Sequence, residues 1–262
     1  MDLGIDGKVA LVGASGNGLG LATAQTLAAE GCHVALCDFD ETALGLAKEQ
    51  LTGTGTGDVE GWPVNFRDLS SIENLLTSVV GWKGNVDILV TNSGGPPPGT
   101  FDDATDDKWQ AAFELTFLSA VRLIRGVLPG MKERNWGRII NFTSRTLREP
   151  IDNLMISNAV RLAVAGMAKT LATEVAPYGI TVNNLGPGPT STARAIELAA
   201  ARAEKRGVTV EEELSATESR IPVGHMATPE DQAAVVAFLV SEAARHITGA
   251  SLIVDGGETR AL

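Results

Sequence analysis

Lys8-Val9-Ala10-Leu11-Val12-Gly13-Ala14-Ser15-Gly16-Asn17-Gly18-Leu19-Gly20 is the stretch on which the fold turns. An apolar run, Val9 to Val12, breaks into four glycines within eight residues: Gly13, Gly16, Gly18 and Gly20. Leu21, Ala22, Leu27 and Ala28 follow at helical spacing, and Gly31 closes the pattern. A buried strand, a glycine turn and a helix N-terminus leave backbone N–H groups free and partly positive, which suits a pyrophosphate. A tight structural turn would use the same glycines, so the reading depends on the rest of the chain.

With 262 residues, 44% of them hydrophobic and 20% charged, the chain can bury a full core. A net charge of −11 argues against a nucleic-acid or anionic-membrane surface, because both call for basic patches. There is no apolar run of transmembrane length and no basic-then-apolar leader, so a cytoplasmic protein is expected. Cys32 and Cys37 flank a single short strand with no second pair and few histidines, which points to reduced, buried thiols and to no metal site.

Cys32 to Asp38 reads as the second strand, 41–51 as a helix, and Val59 to Val64 as a third strand that Pro63 places near an edge. The Thr-Gly repeat at 52–57 reads as a flexible surface link. A helix over 70–81 precedes the apolar strand Val86 to Val90. One long helix is expected over 108–134, from Trp109, Phe113, Phe117, Ala120, Ile124, Leu128 and Met131. Strand five, Arg138 to Phe142, a helix over 155–176, strand six, Ile180 to Leu185, a helix over 229–241 and a last strand, Ser251 to Val254, complete the alternation. The expected fold is one α/β domain of the Rossmann type: a doubly wound parallel sheet of about seven strands, helices on both faces. Residues 186–228 are too long for an ordinary connection in a compact domain, and a lid segment is expected at about 188–222.

Asp38 ends the second strand eighteen residues after Gly20. At that spacing a carboxylate accepts hydrogen bonds from an adenosine ribose and repels a phosphate there. Phe39 follows it, and neither that position nor the glycine loop offers a Lys or Arg, so NAD (NADH) is expected in preference to NADP.

At this point the chain resembles the short-chain dehydrogenase/reductase family over nearly its whole length, with the nearest likeness to the beta-ketoacyl-carrier-protein reductases. The family's T-G-x-x-x-G-x-G is similar to Gly13 through Gly20, with Gly13-Ala14 in place of Thr-Gly. The resemblance implies cofactor contacts from Gly13, Ser15, Asn17, Gly18, Leu19 and Gly20. It implies further contacts from Asn65 and Phe66, and from Asn92, Ser93 and Gly94, which match the family's N-N-A-G. Pro187-Gly188 matches its P-G motif, with Thr190 placed to meet the nicotinamide carboxamide. Ile247-Thr248-Gly249 and Val254-Asp255-Gly256-Gly257 are also typical endings.

The family's catalytic set is Asn, Ser, Tyr and Lys. Ser144 matches the Ser; thirteen residues on stands Ser157 and four beyond it Arg161, in the places of Tyr and Lys, while the Asn position falls at Phe117. The only tyrosine, Tyr178, lies at a helix end far from that register. An alkyl hydroxyl is a much weaker acid than a phenol, so proton transfer has to be organised differently. Ser144 and Ser157 are the candidate catalytic hydroxyls, and Arg161 is expected to hold the nicotinamide ribose. Arg145, Arg148, Arg161 and Arg194 border the implied site and would suit a carboxylate or phosphate on the substrate. The expectation is an oxidoreductase interconverting a small alcohol and ketone. The alternatives are a catalytically silent NAD(H)-binding protein and a non-redox enzyme on the same scaffold. The resemblance also implies a homo-oligomer, a dimer or tetramer built on the two long helices.

Overall fold

The computed structural model describes residues 2–261. Its strands are β1 (Val9–Gly13), β2 (His33–Asp38), β3 (Val59–Pro63), β4 (Ile88–Thr91), β5 (Gly137–Phe142), β6 (Ile180–Pro187) and β7 (Ser251–Val254). All pair in parallel, in the order β3-β2-β1-β4-β5-β6-β7. The order reverses at β1 and β4, so their C-terminal ends part and open a crevice, where such sheets bind ligands.

The α-helices among the described residues are α1 (Gly18–Ala29), α2 (Glu41–Leu51), α3 (Leu69–Lys83), α4 (Asp106–Ala112), α5 (Ser119–Arg134), α6 (Met155–Val175), α7 (Ala193–Arg206), α8 (Val210–Glu218) and α9 (Pro229–Val240). Two apolar layers cover the two sheet faces. Val12, Leu36, Ile88 and Ile140 pack with α1 and α9 on one side; Leu11, Leu89, Ile139 and Val182 pack with α3, α5 and α6 on the other. Strands buried on both faces have to be apolar throughout, and this is why β1, β2 and β4 stand out in the sequence. Pro63 sits in the edge strand β3, where its missing N–H costs no ladder bond.

A polar chain crosses the sheet just below the crevice. Thr91 donates to Asn141, Asn141 to Asn184, and Asn184 to Ser251, four residues in register on β4, β5, β6 and β7. Each side chain satisfies its neighbour, so the polar groups are buried without orphaned atoms and lock the strand ends that carry the loops.

Two expectations need correction. The helix over 108–134 is interrupted: a π-helical turn, Phe113–Leu118, separates α4 from α5. Residues 52–57 are not a free link, because a Cβ on Gly55 would lie 1.9 Å from the Ala28 carbonyl oxygen and one on Gly57 2.0 Å from that of Cys32. The glycines let the chain lie directly on the backbone leaving α1. The long segment after β6 is mostly helical, as α7 and α8. Its ends are pinned together, Ser191 N–H to the Ala227 carbonyl and Ala227 N–H to that of Pro189, so it leaves and rejoins the body at one place.

Cys32 and Cys37 are buried free thiols. Burial pushes the Cys32 thiol up to about 12 and Cys37 higher still, so both stay protonated and inert. Among the described residues no group of side chains has the makings of a metal site, and no helix is long and apolar enough to cross a membrane.

Candidate active site

The crevice is a cavity of about 1150 Å³ that runs from the glycine loop, past the ends of β4 and β5, to α7 and α8. Its near end is built from backbone. Asn17, the residue before α1, makes no side-chain cap, so the first N–H groups of the helix face the cavity unsatisfied. Gly18 has φ +54°, with Thr192 at the start of the α7 segment lying against it. Gly13 and Gly20 do not line the cavity but make it possible. Their Cβ atoms would lie 2.4 Å from the Asn92 carbonyl oxygen and 2.1 Å from that of Ala14. Ala14 does line it, at φ +46°, a left-handed conformation that costs a non-glycine residue about 1 kcal/mol.

Ser15 departs from expectation. Its side chain is fully buried, accepting from Cys37 N–H at 2.9 Å and donating to the Cys37 carbonyl, so it ties the loop to β2 instead of facing the cavity. Asp38 does face the cavity. One carboxylate oxygen accepts from Gly16 N–H at 2.9 Å and the other from Asp40 N–H at 3.0 Å, which fixes the glycine loop to β2 and leaves a lone pair on each oxygen. Leu19, Asn65, Phe66, Asn92, Ser93, Gly94, Pro187, Gly188 and Thr190 all line the same cavity.

Ser144, Ser157 and Arg161 are brought together at its middle. Ser144 follows β5 and accepts from Thr146 N–H at 3.2 Å, leaving its own proton free. Ser157 lies in the first turn of α6, and Arg161 one turn on. Arg161 Nε donates to Ser157 Oγ at 3.2 Å. Its other nitrogens donate to the carbonyls of Phe142, Thr143 and Gly94 at 3.3, 2.9 and 3.1 Å. Arg161 is therefore a staple between the β4 and β5 loops rather than a free fork for ribose hydroxyls. Four of its five N–H groups are spent. No carboxylate among the described residues pairs with it, and burial, helped by the charge of Arg194, pulls its pKa down to about 10, which still leaves it charged at neutral pH.

Phe117 does not reach this site. It stacks on Phe113 with ring centroids 5.0 Å apart, and the π turn instead points Thr116 inward. The buried Thr116 hydroxyl has no partner among the described residues, and it borders, with Thr91, Asn92 and Arg161, a void of about 10 Å³, roughly one water. The motif count stops one residue away, at Phe117, and it is the backbone of the π turn that decides which of the two side chains faces inward.

Of the four arginines expected to converge, Arg145, Arg161 and Arg194 line the cavity and Arg148 does not. Arg145 pairs with Glu258 at 3.0 Å; Arg194 holds Glu197 at 2.8 Å and the Pro96 carbonyl at 3.1 Å. Arg202, Arg220 and Glu258 also line the far end, and the motif reading had passed over all three.

A family model described as enoyl-(acyl carrier protein) reductase matches residues 13–259. The chain is 32% identical over 255 residues to the D-beta-hydroxybutyrate dehydrogenase of Cupriavidus necator, covering 97% of this chain and 98% of that one. It is also 32% identical over 259 residues to a 3-oxoacyl-(acyl-carrier-protein) reductase of Vibrio cholerae, covering 97% and 98%. Among solved structures, L-sorbose reductase from Gluconobacter frateurii, complexed with NADPH and L-sorbose, superposes with a TM-score of 0.95 at 35% identity, over 100% of both chains. With the uncapped glycine loop, the open switch point and these full-length likenesses in hand, the chain is a member of the short-chain dehydrogenase/reductase family of oxidoreductases.

Proposed function

We propose that the protein is an NAD(H)-dependent oxidoreductase that interconverts an alcohol and a ketone with an altered proton-transfer site. The observation that carries the cofactor assignment is the near end of the cavity. Unsatisfied amides at the start of α1, a glycine at positive φ and a carboxylate at the end of β2 fit a pyrophosphate and an adenosine ribose in turn. Asn17, Gly18 and Leu19 would hold the pyrophosphate, Asp38 the adenosine ribose, Asn65 and Phe66 the adenine, and Asn92 to Gly94 with Pro187, Gly188 and Thr190 the nicotinamide half. Bound there, a nicotinamide dinucleotide supplies or accepts the hydride. Asp38 disfavours a phosphate at the ribose, which supports NADH even though the sorbose reductase and others in the fold were solved with NADPH.

The chain's own groups then have to manage one proton. Ser157 accepts the Arg161 Nε–H, so its own O–H is polarised by an adjacent cation and free to point into the cavity. Ser144, anchored by Thr146 N–H, offers the second hydroxyl to the substrate oxygen. Together the two donors would orient a carbonyl and stabilise charge developing on its oxygen. Neither serine is acidic enough to deliver a proton unaided, so an ordered water passes it on. Helices α7 and α8 form the lid, hinged where residues 189–191 meet Ala227. The assembly in this reading is a homo-oligomer through α5 and α6, supported by Leu162, half exposed on α6.

The test is a titration with NADH and with NADPH, followed by nicotinamide fluorescence, then a panel of ketones with Ser144→Ala and Ser157→Ala. Preferential NADH binding and turnover lost in both variants is the expected result. Binding without turnover would leave a silent NAD(H)-binding protein, and binding of neither cofactor would remove the oxidoreductase reading.

A further inference from the structure

Toward α7 and α8 the cavity is lined by four arginines, Arg145, Arg194, Arg202 and Arg220, and by one carboxylate, Glu258. Two buried carboxylates are each flanked by two arginines. Glu213, 2% exposed, is held by Arg206 at 2.5 Å and has Arg202 further off at 3.6 Å. Glu258, its side chain 7% exposed, is held by Arg145 at 3.0 Å and has Arg220 at 3.8 Å. The closer arginine of each set balances the acid. The second one, Arg202 or Arg220, lies beyond hydrogen-bond distance of it, is partly exposed and lines the cavity. Arg220 makes one long side-chain hydrogen bond, to Thr217 at 3.4 Å, and Arg202 makes none among the described residues. Arg161, without a carboxylate, adds to the same field. This excess sits in a protein whose net charge is −11. The lining of the same cavity also carries the apolar side chains of Ile151, Leu154, Leu198, Leu214 and Met226.

We propose that Arg202 and Arg220 receive an anionic group, a carboxylate or a phosphate, carried by the substrate at the end of an apolar body whose carbonyl reaches Ser144 and Ser157. The proposal rests on the oxidoreductase reading of the cleft and adds the substrate class. Guanidinium groups suit both anions because their paired N–H donors match two oxygens at once. Glu213 and Glu258 stay where they are. They hold the arginines in place, and Arg145 and Arg206 cancel their charge, so an incoming anion meets a net positive surface.

The experiment compares oxo acids, from levulinate to longer homologues, with their methyl esters, in the wild type and in Arg202→Gln, Arg220→Gln and the matching lysine variants. NADH binding is measured first on each. The expected result is a kcat/KM at least about tenfold higher for the acids than the esters, falling with added salt. Each Gln variant loses about tenfold on the acids through KM, leaves the esters unchanged, and is partly rescued by Lys. Binding of hexanoate, hexyl phosphate and hexan-1-ol to the protein–NADH complex needs no turnover and separates the two anions. Tighter binding of either anion than of the alcohol, lost in the Gln variants, supports the proposal. Acids and esters turned over alike, or hexan-1-ol bound as well as both anions, overturns it. Failure to bind NADH at all would instead overturn the cofactor reading, and the anion-binding comparison on the free protein would still decide this one.

Discussion

The two ends of the cavity are made of different materials. The near end is backbone: amides at the start of α1, glycines that let strands and loops touch, and a carboxylate already bonded to the Gly16 amide. The far end is side chain: Arg145, Arg202, Arg206 and Arg220 around two buried acids, with Arg161 stapling three carbonyls between them and the glycine loop. A site made of backbone tolerates almost no change in shape, because each glycine is there to let other atoms in. A site made of side chains can change residue by residue while the frame stays.

The difference can be broken from the near end first. Gly20→Val puts a Cβ where the Ala14 carbonyl oxygen is, 2.1 Å away. It should destabilise the fold by about 3 kcal/mol, the top of the range for overpacking, and abolish NADH binding, read by denaturant melts and fluorescence titration. A smaller but more selective break lies at the centre. Arg161→Met leaves the Phe142, Thr143 and Gly94 carbonyls without their donor and removes the cation from Ser157. Stability should fall by about 2 kcal/mol and turnover by on the order of 100-fold, while NADH affinity changes much less. Equal losses in affinity and turnover would show that Arg161 belongs to the cofactor end after all.

Asp38→Asn tests one carboxylate at the near end. NADH should bind about tenfold more weakly, the worth of one charge-assisted hydrogen bond, and the preference over NADPH should shrink. An unchanged NADH/NADPH ratio would remove Asp38 from cofactor selection. The smallest effect sharpens the comparison instead of breaking it. Ala14→Gly relieves a residue at φ +46° and should raise stability by about 1 kcal/mol, with cofactor affinity unchanged or improved, measured by thermal melting and titration.

How much of this was legible in the sequence follows the same division. The strand positions, the glycine loop and the acid that ends the second strand could be read because apolar runs, glycine spacing and a strand-ending acid are local signals. Ser15 was misread because a serine in a glycine loop has two ways to face, and only the position of Cys37 on the next strand decides between them. Thr116 was missed because the family likeness put the Asn position at Phe117, and only the structure shows that Thr116, one residue earlier in the π turn, borders the void beside Asn92 and Arg161. Arg202 and Arg220 were passed over because in the sequence they are two more charges on a helical segment rich in Ala and Glu.

By itself, then, the sequence determined the order of strands and helices, the glycine loop and the acid at the end of the second strand, because each depends on neighbours within about one turn or one strand. Only the tertiary structure decided which arginines share which buried acids. It also decided how the Thr91–Asn141–Asn184–Ser251 chain locks the strand ends, and that Arg161 is committed to three carbonyls. Those contacts join residues tens of positions apart, and the pairing of a buried polar group is set by which partner the packing brings within hydrogen-bond reach.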